Sequence, residues 1–317
     1  MGKPDTSYAQ TQDSTLVHSP KINWIEQYPA LNDDKNHHKK NSIADFLFGK
    51  KMRPELTKPL NIAAINKDRY CILDQANGSI FQILDKVGEI PHFRHKPSET
   101  LPSLVGFCLF PQDKLLFTDS YLNKVFVYNI GKKSILPLND SLRLNQCTGI
   151  AYSELTHEIW VVETAAHSIS ILTDKGTWKK RIGKRGVNPG EFNFPTSIWI
   201  DKLGRAYIVD ALNFRIQVFD KEGELISVFG RHGDGGGDFA RPKGIATDSN
   251  GNIYIVDALF NVVQVFDIAG KFLYTFGSQG HGKGEFWMPS GLFIDDQNFI
   301  YVADSYNSRV QIFQFTN

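Results

Sequence analysis

The chain has 317 residues, of which 41% are hydrophobic and 12% aromatic, so it can bury a sizeable core. Its 35 Lys and Arg residues against 34 Asp and Glu give a net charge of +1, which excludes a global attraction to nucleic acid or anionic membranes. Cys71, Cys108 and Cys147 show no C-x-x-C spacing, which excludes a disulfide framework, a zinc knuckle and covalent haem attachment. We interpret the three cysteines as small buried hydrophobes.

The first 58 residues divide into a tail, a strand and a linker. Residues 1–20 are rich in Gln, Ser, Thr and Asp; they do not form a secretory signal, and we predict them to be disordered. Residues 21–28, KINWIEQY, form an extended apolar run that is similar to KFLYT at 271–275, a predicted fourth strand. We interpret 29–58 as a linker before the main domain.

The linker contains a predicted short helix near residues 42–48. Ser42 can act as its N-cap, and Ile43, Phe46 and Leu47 fall on one face that would pack on the domain. The histidine pair in DDKNHHKKN precedes this helix. No carboxylate or cysteine completes a metal site there at a useful spacing, so we interpret that segment as solvated.

Residues 59–317 are built from six repeats. The repeats are marked by an acid at the end of each second predicted strand: Asp74, Asp119, Glu163, Asp210, Asp257 and Asp304. The last three repeats are the most regular, because Pro195, Pro242 and Pro289 recur every 47 residues after the lead-ins GEFNFP, GDFARP and GEFWMP. A fixed period of this size indicates units that bury their apolar faces only against their neighbours.

Each repeat reads as four short strands. In the fourth repeat these are SIWID, AYIVD, RIQVF and ELISVF, which are separated by turn residues such as those of DKLG and DKEG. Four antiparallel strands in each of six units predict a single all-β domain over 21–317, a six-bladed β-propeller.

The order G-E-F-x-x-P-x-G-I-x-x-D, I-Y-V-x-D and N-x-R-V-Q-V-F resembles the NHL repeat, most clearly in residues 237–277 and 284–315. The resemblance covers 21–317 and is close in blades four to six. It is nearest to bacterial NHL-repeat proteins that are exported and accompany multihaem cytochromes. It therefore implies an extracytoplasmic location, periplasmic or at the cell surface, with a cytoplasmic location as the alternative.

The sixth repeat ends after three strands, at QIFQFTN. An open ring would leave two sheet edges with unpaired backbone groups. The apolar run at residues 21–28 is a spare fourth strand. We predict that it pairs outside residues 310–315 and closes the ring.

The ring of acids invites a metal interpretation. We interpret these acids as structural, because an Asp at a strand end followed by Asn and Arg can accept backbone N–H groups of the next turn and pair with the basic residue. The second positions of the innermost strands offer no carboxylate or histidine: Leu60, Val105, Thr148, Thr196, Lys243 and Ser290. We predict no metal, cofactor or catalytic residue, and the glycine-rich GRHGDGGGDF lacks the Lys-Ser/Thr of a P-loop.

One face of the predicted ring stands out. In a propeller, the loops between second and third strands and the connections between blades lie on the same side. That side carries apolar residues at turn tips, where solvent would favour polar ones, and it carries basic residues beside them. The candidate partner-binding residues are Tyr121, Leu212, Phe214, Leu259, Phe260, Tyr306, Arg185, Arg231, His232, Arg241, Lys243 and Trp287.

These observations predict a non-catalytic binding or scaffold module. Its partner is a protein, and the resemblance implies a multihaem cytochrome of a redox assembly as one such partner. A metal-dependent lactonase or lyase of the propeller type is the alternative. RNA binding is a third hypothesis, which would need a continuous basic strip.

Overall fold

A computed structural model of the chain describes residues 21–30, 55–85, 87–89 and 101–316. The predicted disordered tail at 1–20 and the predicted helix at 42–48 lie outside these residues. Among these residues we find no helical segment that could span a lipid bilayer.

Six four-stranded antiparallel sheets form the blades of a six-bladed propeller, as predicted. Within each blade the strands follow chain order from the innermost to the outermost, except that the outermost strand of blade 6 comes from the start of the chain. The strands of blades 1 to 3 are Pro59–Asn66, Arg69–Asp74, Ser79–Leu84 and Val87–Glu89; Leu104–Phe110, Lys114–Asp119, Lys124–Asn129 and Ser134–Pro137; and Cys147–Ser153, Glu158–Glu163, Ser168–Thr173 and Trp178–Ile182. The strands of blades 4 to 6 are Pro195–Ile200, Ala206–Asp210, Arg215–Phe219 and Leu225–Phe229; Pro242–Thr247, Ile253–Asp257, Val262–Phe266 and Phe272–Phe276; and Leu292–Ile294, Phe299–Asp304, Arg309–Thr316 and Lys21–Tyr28.

The closing strand is Lys21–Tyr28, as the sequence predicts. It runs antiparallel to Arg309–Thr316, with Ile22 opposite Phe315 and Tyr28 opposite Val310. A bulge interrupts the register between Trp24 and Glu26. The last blade therefore combines both ends of the chain, and the outer edge of its third strand is paired.

Short elements lie in the connections. Two 3-10 turns, Ala211–Asn213 and Ser305–Asn307, follow the second strands of blades 4 and 6. A parallel pair of two-residue strands, Ser278–Gln279 and Glu285–Phe286, crosses the connection that enters blade 6.

A second glycine recurs nine positions before the phenylalanine of each G-E/D-F lead-in, and the packing of that phenylalanine explains it. Phe192, Phe239 and Phe286 are fully buried. A Cβ at Gly230, which lies at φ 90°, would come within 2.3 Å of the Phe239 ring. A side chain at that glycine would displace the phenylalanine from the core, and burying such a ring is worth about 1.5–3 kcal/mol.

Candidate functional site

The ring has two chemically different ends. The innermost strand of each blade starts at the end that carries the blade-to-blade connections and the loops between second and third strands, which we call the loop face. The opposite end carries the turns between first and second strands and between third and fourth strands, and we call it the turn face. The candidate partner-binding residues predicted from the sequence belong to the loop face.

Buried carboxylates hold the loops of the loop face in place. The Asp210 side chain is fully buried; its Oδ1 accepts the backbone N–H of Asn193 at 2.7 Å, and its Oδ2 accepts Nε of Arg215 at 2.8 Å. Asp304 repeats this arrangement with the N–H of Trp287 and Nε of Arg309, both at 2.7 Å. These bonds confirm the structural interpretation of the acids.

Blade 5 fixes its loop in a different way. Val262 occupies the position of the arginine, and Asp257 instead accepts four backbone N–H groups, including Ala240 at 2.8 Å and Leu259 at 3.1 Å. In both variants the carboxylate ties the blade connection to the loop beside it. The loop tips therefore stand on a rigid base.

Apolar side chains form a ring of tips on the loop face. They occupy the second position after the acid in blades 2, 4, 5 and 6. Tyr121 is 75% exposed, Leu212 52%, Leu259 52% and Tyr306 54%. Exposed apolar side chains that recur at one level around a ring make a surface that another molecule can cover.

Phe214 and Phe260 are less accessible than the tips, since both are half-buried. Phe214 packs against the hydrophobic cluster between blades 4 and 5, and its ring centroid lies 4.5 Å from that of His232. Its φ of 54° is unusual for a bulky residue. The fold therefore uses Phe214 as packing as well as surface.

Aromatic and basic groups surround the tips. Trp287 is 42% exposed, and its ring centroid lies 5.9 Å from that of Tyr306 and 5.2 Å from that of His281. The ammonium group of Lys58 lies 5.8 Å from the centroid of Tyr306. Together these groups form a mixed aromatic and cationic patch over blades 6 and 1.

Four more of the predicted residues are exposed on this face: Arg185, Arg231, His232 and Arg241. Arg231 donates from Nε to Oδ1 of Asp238 at 2.7 Å, and this bond lowers the pKa of Asp238. Within the described chain, the Arg185 and Arg241 guanidinium groups form no ion pair.

Lys243 lies where the loop face meets the axis of the ring. It is the charged residue among the second positions of the innermost strands, and it is half-buried. Burial, together with the nearby charges of Arg241 and Lys58, lowers the pKa of Lys243. No acid of the described ranges pairs with it, so its charge is uncompensated there.

The turn face holds a cavity that sequence reasoning did not predict. Its volume is about 610 Å³, and it runs along the axis from the third residue of the innermost strands to the turns that follow them. Its apolar lining includes Ile62, Phe107, Ile150, Ile198, Trp199 and Phe293. This volume falls within the usual range for small-molecule sites, about 300–1,000 Å³.

The innermost strands approach one another closely at the inner end of this cavity. Gly106, Gly149, Gly244 and Gly291 occupy the third position in four blades. A Cβ on Gly106 would come within 2.0 Å of the Thr148 carbonyl oxygen, and one on Gly149 within 2.9 Å of Ser197 Cα. At these four positions a side chain would therefore collide with the neighbouring strand.

Asn61 and Ser197 occupy the third position in the remaining two blades, and both line the cavity. Asn61 Oδ1 accepts the N–H of its neighbour Ile62 at 2.9 Å. Within the described residues, no hydrogen bond reaches the Asn61 amide nitrogen or the Ser197 hydroxyl. The inner end of the cavity thus offers polar groups to an occupant.

The described residues contain no group of three or more His, Cys, Asp or Glu side chains placed to hold a metal ion. His232 and His281 lie in equivalent connections but have separate partners: the His232 ring lies tilted against that of Phe214, whereas Nδ1 of His281 contacts Oδ1 of Asn307 at 2.6 Å. Burial raises the pKa values of Cys71, Cys108 and Cys147 to about 12.

Fold and repeat together define an NHL-type six-bladed propeller. The model of the family DUF5128, described as a 6-bladed beta-propeller, matches residues 135–206, 203–263 and 247–317. These matches span more than half of the chain, and the protein belongs to this family. A 39-residue segment is 49% identical to NHL repeat-containing protein 3 of Homo sapiens; it covers 12% of this chain and 11% of the human protein.

Solved structures with the same fold have diverse functions. A structural genomics protein of unknown function from Bacteroides thetaiotaomicron aligns with a TM-score of 0.65 at 17% identity, over 84% of this chain and 71% of that one. A streptogramin B lyase aligns with a TM-score of 0.62 at 12% identity, over 84% and 96%. An auxiliary nutrient binding protein from Bacteroides ovatus aligns with a TM-score of 0.64 at 13% identity, over 83% and 70%. At these identities the similarity shows the fold alone.

Proposed function

We propose that the protein is a binding module that docks a partner protein on its loop face. The observation that carries the proposal is the ring of exposed apolar tips: Tyr121, Leu212, Leu259 and Tyr306. Each tip follows a buried carboxylate that fixes its loop, so binding need not order the loops as well. Tyrosine and tryptophan with nearby arginine are the residue types that dominate binding energy at protein interfaces.

The charges of this face favour a partner that presents acidic groups beside its apolar contacts, one of them at the axis of the ring. Arg185 and Arg241 are exposed without an ion pair to a described residue, and Lys243 is a half-buried cation at the centre of the face. A carboxylate of the partner placed at the axis would compensate the charge of Lys243. Salt would slow association with such a partner, because exposed charges are screened.

The partner class and the location are part of the proposal. The resemblance to exported bacterial NHL-repeat proteins favours an extracytoplasmic location, in which the module acts as a scaffold for a multihaem cytochrome. Haem absorbance in the captured fraction tests the partner class, and fractionation of cells tests the location.

Neither the enzyme hypothesis nor RNA binding is supported by a particular feature of the loop face. The basic loops do not form a continuous strip, because Asp238 pairs with Arg231 and the exposed Asp234 lies between Arg231 and Arg241 in the sequence. The proposed interface is instead a mixture of apolar and cationic groups, which suits a protein surface better than a phosphate backbone.

The experiment is a quantitative pull-down from a lysate of the source organism. The loop-face variant carries Leu212→Ser and Leu259→Ser, both of which change side chains that are 52% exposed. The control carries Leu203→Ser and Ile268→Ser, which change apolar residues of similar exposure, 65% and 54%, on the turn face. We expect the control to retain the protein captured by the wild type and the loop-face variant to lose at least tenfold in affinity.

Both variants should melt close to the wild type, since surface substitutions usually change stability by less than about 0.5 kcal/mol. Equal capture by the wild type and the loop-face variant would overturn the proposal. So would loss of capture in the turn-face control alone.

A further inference from the structure

We propose that the cavity on the turn face is a binding site for an apolar organic cation, such as an aromatic amine or a quaternary ammonium compound. This site lies at the opposite end of the ring from the loop face, and the inference does not depend on the proposed docking function. It rests on the shape of the cavity, on its ring-lined wall and on the balance of charge at its mouth.

The wall of the cavity suits an aromatic or aliphatic body. The rings of Trp199 and Phe293 meet edge to face, with centroids 5.4 Å apart, although they belong to blades 4 and 6. Trp199 is held by a hydrogen bond from its Nε1 to Oγ1 of Thr247 at 2.9 Å. Aromatic faces attract cations as well as apolar groups.

Four acids and one lysine line the cavity, and two of the acids are already compensated. Asp201 pairs with Arg205 at 2.7 Å, and Asp296 pairs with Lys202 at 2.9 Å. Asp295 and Glu154 form no ion pair within the described chain. The mouth therefore carries a net negative charge that a bound cation would neutralise.

Asp295 is the more deeply placed of the two free acids. It accepts the hydroxyl of Tyr301 at 2.8 Å and the N–H groups of Gln297 and Phe299 at 2.9 Å. These hydrogen bonds fix the carboxylate without neutralising it. Burial raises the pKa of Asp295, as expected for a carboxylate whose charge lacks a counter-ion.

Blade 5 contains a matched control for Asp295. One blade earlier, Asp248 accepts the hydroxyl of Tyr254 at 3.1 Å and two turn N–H groups at 2.9 Å, and it accepts Nδ2 of Asn252 at 2.8 Å in addition. Asp248 does not line the cavity. Asp295→Asn and Asp248→Asn therefore each remove a carboxylate that holds a turn of the same kind, but only Asp295→Asn changes the cavity.

The test uses three probes with one ring system: (1-naphthylmethyl)trimethylammonium, 1-naphthylmethanol and 1-naphthylacetate. Their affinities for the full chain are measured by isothermal titration calorimetry at pH 7 in low salt. We expect the cation to bind at least tenfold more tightly than the anion, with the neutral probe between them.

Two variants, Asp295→Asn and Glu154→Lys, test whether this binding occurs in the cavity, and two others serve as controls. Asp295→Asn should weaken the cation at least fivefold, whereas Asp248→Asn should leave its affinity within twofold of the wild type. Glu154→Lys changes an exposed residue and should lower the preference for the cation over the anion at least tenfold. The loop-face variant Leu212→Ser/Leu259→Ser should bind all three probes as the wild type does.

Three results would overturn the inference. The first is that no probe binds below millimolar concentration, which would mean that the cavity is only a solvent-filled channel. The second is equal affinity for the cation and the anion. The third is a preference for the cation that survives in both Asp295→Asn and Glu154→Lys.

Discussion

The two ends of the ring are built by different means. On the loop face, the same position of four blades carries Tyr121, Leu212, Leu259 and Tyr306, so the surface follows directly from the repeat. On the turn face, the cavity depends on differences between blades, such as Trp199 where blade 5 has Ala246. Repetition thus produces a broad surface, whereas departures from repetition produce a site with a particular shape.

Removing the closing strand should affect both ends and have the largest effect. Deletion of residues 1–30 exposes the outer edge of Arg309–Thr316 and loses the contacts of Ile22, Trp24 and Tyr28, which are half-buried. We expect a loss of roughly 3–5 kcal/mol in the free energy of unfolding, together with weaker binding at both faces. Thermal unfolding followed by circular dichroism measures the loss. Deletion of 1–18 is the control, and equal melting of the two truncations would contradict this role of the strand.

Substitution of the buried acids should distinguish the two ways in which the loops are held. Asp210→Ala leaves the Arg215 side chain, which is only 11% exposed, without its ion-pair partner, and we expect a loss of about 3–5 kcal/mol in the free energy of unfolding. Asp257→Ala leaves only backbone donors without an acceptor, and we expect about 1–3 kcal/mol. Denaturant unfolding gives both values. Tightly bound metal in the wild type that disappears in either variant would instead indicate an ion site.

Lys243→Met should separate stability from binding on the loop face. The half-buried ammonium has no acidic partner in the described chain, so its removal should stabilise the free protein by about 0.5–1 kcal/mol. The same change should weaken partner capture and reduce its dependence on salt. A melting curve and a salt series of pull-downs check the two outcomes. Loss of stability without loss of capture would assign Lys243 to the scaffold.

The reactivity of the three thiols should distinguish the cavity from the core without any substitution in the chain. With pKa values of about 12, the three cysteines should react slowly with a thiol reagent at pH 8. As the pH rises towards 12, Cys108 should react first, because it is half-buried and lines the cavity whereas Cys71 and Cys147 are buried. Mass spectrometry of the alkylated chain identifies the order. Earlier reaction of Cys71 or Cys147 would show that the core opens before the cavity is entered.

The sequence could predict the fold because the repeat is regular in blades 4 to 6 and because the closing strand matches a fourth strand. Its period also placed the acids and the apolar tips correctly. It could not show that Phe214 packs inward, since Asn261 and Ser308 occupy the equivalent left-handed position in blades 5 and 6 and suggest an exposed turn. That position is half-buried because the ring of His232, from the next connection, covers it.

The cavity was missed because no single motif encodes it. Trp199 and Phe293 meet although 94 positions separate them in the printed sequence, twice the repeat of 47. Blade 5, which lies between theirs, has the small Ala246 at the equivalent position. The available signal was the glycine at the third position of four innermost strands, which marks where neighbouring strands touch.

Hydrogen–deuterium exchange of the complex with the captured partner tests the central claim most directly, because it reads both ends of the ring in one measurement. Docking on the loop face predicts slower exchange in the connections at 184–194, 231–241 and 278–288 and in the tips that follow Asp119, Asp210, Asp257 and Asp304. The turns at 201–205 and 248–252 should exchange as they do in the free protein. Protection confined to those turns, with the loop connections unchanged, would contradict the account.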